Sequence, residues 1–99
     1  MTANEFIAHK EAEPGGREVV WNGVTLRYEH CSCVPMTGYP EFVASVERFR
    51  RTGDGGIERR FAYWKHLADG RWGFANRPLV IPEEDLPKLL DRARKRGTL

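Results

Sequence analysis

The 99-residue chain contains no run of 18 or more apolar residues, so no segment reads as a membrane span. Its opening, MTANEFIAHKEAEPGG, has no continuous apolar stretch of the kind a secretory signal needs, and a cytoplasmic location is expected. Cysteine is scarce. Cys31 and Cys33 sit one residue apart, too few for a disulfide scaffold and too close for a stable internal bridge, so reduced thiols are expected. There is no internal repeat and no low-complexity tract. No glycine-rich loop leads from a strand into a helix; TGDGG at 52–56 reads as a hairpin loop, not a phosphate cradle.

Two further absences narrow the chemistry. His30, Cys31 and Cys33 are metal-ligand types, but a zinc site normally draws on cysteines two to four residues apart and a second ligand pair. His9 and His66 stand alone, so no metal and no cofactor is expected. Adjacent strand residues point to opposite faces, so His30 and Cys31 do not make a base and its nucleophile. The carboxylates of PEEDL at 82–86 suit a helix N-terminus. The chain is therefore not expected to be an enzyme.

What is present is a globular composition, 40% hydrophobic and 30% charged, in a length that holds one small core. Net charge is only +2, but residues 1–50 carry five Lys/Arg against seven Asp/Glu and residues 51–99 carry eleven against seven. That division points to an anionic partner for the second half, although a soluble surface with a basic helix end also accounts for it.

Residues 1–16 are expected to be a flexible arm ending in the turn EPGG, with Phe6 and Ile7 available to dock it, and residues 17–99 to be one α+β domain. REVVWNGVTLRYEH (17–30) reads as a β-hairpin about Asn22-Gly23, with both turn residues at positive φ and Glu18 opposite Arg27. Val19, Trp21, Val24, Leu26 and Tyr28 then share a face. CSCVPMTGYP (31–40), punctuated by Pro35, Gly38 and Pro40, reads as a loop. Strands are expected near 42–50, 57–67 and 72–81, the last broken near Asn76–Pro78. The spacing of Phe42, Val46 and Phe49 also fits a helix, but the loop at 52–56 favours a hairpin. An amphipathic helix is expected over 83–96, with Asp85 as cap and Leu86, Leu89, Leu90 and Ala93 as its apolar stripe. The sum is a curved antiparallel sheet of four to five strands followed by a C-terminal helix.

The candidate site is ERRFAYWKH, 58–66. Alternation places Arg60, Trp64 and His66 on one side of the strand, where rings can stack on bases and cations can meet phosphates. Phe49 and Arg50 before it, and Arg71 after it, extend the surface. The order FVASVERFRR, IERRFAYWKH, a glycine turn and RPLVIPEEDLPKLL, over residues 42–96, resembles the PC4/p15 family of transcriptional coactivators, which bind single-stranded DNA. PUR-type single-strand binders share a related plan.

The PC4-like resemblance implies a homodimer joined partly through the C-terminal helix and a DNA groove on the sheet. By position the resemblance makes Phe49 and Trp64 stacking residues and Arg50 a phosphate contact; the alternation of the strand and its turn add Arg60 and Lys65 or Arg71 as further cations expected to meet phosphates. It departs from the family at Phe61, where a basic residue is usual, and in its acidic first half. The two functions expected are a single-stranded nucleic-acid-binding module modulating transcription, and a small protein-binding adaptor or inhibitor of phage or bacterial type that uses the same face.

Overall fold

The computed structural model describes all 99 residues. In chain order these form α1 (Ala3–Glu11), β1 (Glu18–Trp21), β2 (Val24–Met36), β3 (Tyr39–Arg51), β4 (Ile57–His66), β5 (Trp72–Ala75) and α2 (Asp85–Arg96). The strands make one antiparallel meander, β1-β2-β3-β4-β5, curled into a half-barrel. The α+β class, the strand at 42–50 and the C-terminal helix are as the sequence predicts. No helix is long and apolar enough to cross a membrane.

The turns follow local chemistry. Asn22 and Gly23 take φ of 49° and 74°, the two positive values that a two-residue hairpin turn requires, and the exposed pair Glu18–Arg27 forms at 3.6 Å. The register then carries one residue too many on β2. Tyr28 pairs with Phe49 and His30 with Arg48, so Glu29 is a bulge whose carboxylate accepts from both Arg48 and Arg50, at 2.8 Å each.

Three expectations are corrected. Residues 31–36 are strand, not loop: β2 runs on to Met36 and the turn is at Thr37-Gly38. Pro35 is tolerated because the odd-numbered residues there point their backbone away from β3, on a side that β1 does not cover. The last strand ends at Ala75, short of 81, and residues 76–84 are irregular, with Leu79 and Ile81 packed on the core. Residues 3–11 of the expected arm are a helix, closed by a capping box in which Thr2 Oγ1 accepts from the Glu5 amide (3.2 Å) and Glu5 accepts from the Thr2 amide (2.9 Å).

The two helices lie on opposite faces of the sheet. α1 buries Phe6 and Ile7 against Leu26, Tyr28, Cys31, Cys33, Val43 and Phe49. α2 buries Leu89 and Ala93 against Val34, Met36, Ala44 and Val46. Leu86 stands outside its predicted stripe, 41% exposed. Asp85 does not cap the helix. It is 1% exposed and accepts from the Thr37 amide and hydroxyl, at 2.7 Å each, which ties α2 to the β2–β3 turn. Burial alone would raise the Asp85 carboxyl, but the Thr37 bonds and Lys88 outweigh it and hold its pKa low.

The helices meet around the uncovered side of β2. Glu11, at the end of α1, accepts from the Cys33 amide (2.9 Å) and from Arg92 Nε (2.7 Å), and lies 3.6 Å from Arg96. Arg96 in turn donates to the Cys31 carbonyl from Nε (3.1 Å) and Nη2 (3.0 Å). Burial pushes the Glu11 carboxyl up, yet Arg92, the Cys33 amide and the Arg96 charge together hold it below the ordinary glutamate value.

Because the folded carboxyl is the stronger acid, this clamp contributes stability at pH values above the unfolded-state pKa, and that stability is lost as pH falls through the lowered folded value. Glu11→Gln removes the negative charge that Arg92 and Arg96 share and is expected to cost about 2–3 kcal/mol at neutral pH. Urea titrations should show the two proteins converging in stability as the pH drops below the carboxylate range. Equal midpoints at pH 7 would contradict the clamp.

Candidate interaction site

The six residues predicted to make a nucleic-acid surface are distributed over both faces of the sheet and a turn. Phe49 is 2% exposed, edge-on to Tyr28 with ring centroids 5.7 Å apart. Trp64 lies on the same face and is half-buried beneath α1. Phe6 stands 5.6 Å from its ring, Lys10 Nζ 4.3 Å from its centroid, and its Nε1 donates to Ser45 Oγ at 3.2 Å. Arg60 joins them but donates to the fully buried Glu47 (2.8 Å from Nε) and covers the Phe74 ring at 4.5 Å. Arg50 is on the α2 face, bound to Glu29 and to the Gly55 carbonyl. Lys65 is also on that face, exposed, 5.9 Å from the Phe42 ring. Arg71 sits in the β4–β5 turn, paired with Asp69 at 2.7 Å. Phe49 is thus enclosed and Trp64 partly covered, and the three arginines each hold a carboxylate.

The thiol pair is buried in β2. Cys31 and Cys33 are both free, with sulfurs 3.9 Å apart, and the Cys31 thiol donates to the Lys10 carbonyl at 3.6 Å. The hydrogen bond from Cys33 draws the Cys31 thiol down, and the same contact together with burial pushes Cys33 up. His30 points to the other face, its Nδ1 3.1 Å from Thr98 Oγ1. Burial, then the charges of Arg48 and Arg96, lower its pKa. No three His, Cys, Asp or Glu side chains are grouped to hold a metal ion.

A different feature is open. β5 pairs only with Tyr63–His66, so Ile57–Ala62 of β4 have no neighbour on that side. The Gly56 carbonyl is directed at β3, accepting from the Arg51 amide at 2.8 Å, whereas the Leu67 amide is directed at the β5 side, donating to Arg71 at 2.7 Å. Antiparallel alternation between those two points sends the amides and carbonyls of Ile57, Arg59 and Phe61 outward. No backbone hydrogen bond reaches them from that side.

This bare edge borders a cleft of about 350 Å³ whose far wall is Val19, Val20 and Trp21 of β1, with Leu26 and Phe49 at its base. Val20 (70% exposed), Trp21 (68%) and Phe61 (45%) leave apolar surface around it. A strand edge beside exposed apolar side chains is a template for another extended backbone.

No family model, curated protein or solved structure matches the chain.

Sequence reasoning concentrated on the Trp64 face and passed over Arg59 and Phe61 as residues facing an exposed edge. The readable signal was the mismatch between a ten-residue β4 and a partner segment interrupted at Asn76–Pro78, which leaves the first half of β4 unpaired.

The cover over Trp64 is checked by Phe6→Ala. Phe6 also stacks on Trp72 at 4.9 Å, so its truncation should cost about 3 kcal/mol and red-shift the tryptophan emission as both indoles gain water. An unchanged spectrum and midpoint would mean that α1 does not cover this face.

Proposed function

We propose that this chain is a protein-binding adaptor, not an enzyme, that takes an extended segment of its partner as an added strand along the open edge of β4. The observation that carries this reading is the unequal treatment of the two stretches that the short strands β1 and β5 leave uncovered on β2 and β4. Along β2, the Cys33 amide and Cys31 carbonyl already hold Glu11 and Arg96, which another chain would have to displace in order to pair there. Along β4, Ile57, Arg59 and Phe61 keep their outward amides and carbonyls free next to the apolar cleft. Native sheets that expose an edge without a use for it blunt it, and the first edge shows this chain doing so. The two buried free thiols suit a reducing compartment, and we place the adaptor in the cytoplasm.

Single-stranded nucleic acid is the competing ligand, and one set of measurements separates the two. Ten-residue peptides of alternating apolar and polar residues are expected to bind and to slow amide exchange at Ile57, Arg59 and Phe61. Arg59→Pro removes one outward donor, together with the Nε bond to the Thr98 carbonyl, while leaving the β3–β4 ladder whole, and should abolish that binding where the side-chain control Arg59→Gln does not. Oligo-dT anisotropy at two salt concentrations is the counter-test. Micromolar, salt-sensitive DNA binding that survives Arg59→Pro, with no peptide binding, would replace the adaptor reading by the nucleic-acid one.

A further inference from the structure

We infer that the segment received by the β4 edge carries a carboxylate opposite Arg59, with apolar residues two positions to either side. This inference rests on the strand-addition reading and specifies the partner's chemistry.

Ten of the twelve arginines lie within 4 Å of a carboxylate; Arg59 and Arg77 do not. Arg77 lies in the irregular segment after β5, whereas Arg59 stands in the middle of the bare edge, exposed. Its guanidinium is turned across the α2 face, where Nε donates to the carbonyl of Thr98, a residue seated on Ser32 and His30 of β2, so it swings away from that bond to meet a strand on the open side. Neither terminal nitrogen has a protein partner, so the end of the guanidinium is free for a two-pronged bond to a carboxylate.

Ile57 and Phe61 flank Arg59 on the same face of the strand. An added strand sets its side chains directly opposite those of its neighbour, so these three residues define three facing positions: apolar, acidic, apolar. The same arginine disfavours a second copy of this chain. Antiparallel pairing of two β4 edges about Arg59 would set Arg59 against its own counterpart, a like-charge contact.

The experiment uses the full chain and three labelled peptides with the core Thr-Val-Thr-X-Thr-Val-Thr, where X is Glu, Gln or Lys, followed by anisotropy. The Glu peptide should bind about tenfold more tightly than the Gln peptide, and the Lys peptide more weakly still. Arg59→Gln should bring the Glu and Gln peptides to equal affinity without abolishing binding. Arg59→Lys should restore only part of the preference, since an ammonium does not offer the two-pronged geometry. If all three peptides bind equally to the unaltered chain, the acidic specificity is wrong and strand addition stands. If none binds, strand addition itself is overturned.

Discussion

The carboxylate of Glu11 holds the architecture together. It projects from the last residue of α1 to where α2 and the uncovered side of β2 converge, and it bonds to both of them. Neither helix is self-sufficient. α1 has nine residues and α2 twelve, both too short to persist alone, so each depends on its dock. The faces they bury are separate cores on opposite sides of one sheet. Glu11 and its two arginines couple those cores around the strand edge, so loosening one helix exposes the other's anchor. The coupling also explains why the basic end of α2 is more than a complement to the helix dipole: Arg92 and Arg96 are structural ligands of α1 and β2.

That clamp settles the fate of one edge and, by contrast, defines the other. A five-strand meander curled to a half-barrel has more edge than its short first and last strands can cover, because β1 and β5 have only four residues each against thirteen in β2 and ten in β4. On β2, side chains of both helices occupy the Cys33 amide and the Cys31 carbonyl. On β4 the excess is left open, and its flanking residues are charged: Glu58, Arg59 and Arg60. Charge on an edge discourages indiscriminate pairing while leaving the backbone able to accept a strand of complementary pattern. Glu58 and Arg60 are already satisfied by Arg51 and Glu47, which leaves Arg59 to discriminate.

The legible parts of the fold were those set by neighbours in sequence. Asn22-Gly23 announces its turn, the alternation of β4 assigns Trp64 and Phe61 to opposite faces, and Leu89 and Ala93 mark the buried side of α2. The parts missed depend on distant partners. Pro35 reads as a loop breaker unless it is known that its side of β2 has no neighbour. Asp85 reads as a cap unless Thr37, 48 residues earlier, is known to stand beside it. The first helix is the exception, because Thr-Ala-Asn-Glu at 2–5 is a capping box followed by Phe6 and Ile7, a local signal outweighed by the polar look of the segment. Without α1 in view, Trp64 reads as open, whereas Phe6 and Lys10 of α1 lie over it.

Energies decide between the two faces of that strand. For a base to stack on the side of Trp64 that Phe6 and Lys10 cover, α1 must leave. Its departure exposes Phe6 and Ile7, each worth about 1.5–3 kcal/mol of burial, and removes Lys10 from its place over the indole. It also strands the Glu11 clamp, at a further cost of about 2–3 kcal/mol. One stacked base returns about 1–3 kcal/mol, less than the helix gives up, and Phe49 beneath is still enclosed by Tyr28. An added strand at β4 displaces nothing. It meets backbone groups already directed outward, so the ordering of those groups is complete before the partner arrives. The edge, rather than the aromatic face, is where association requires least rearrangement of this molecule.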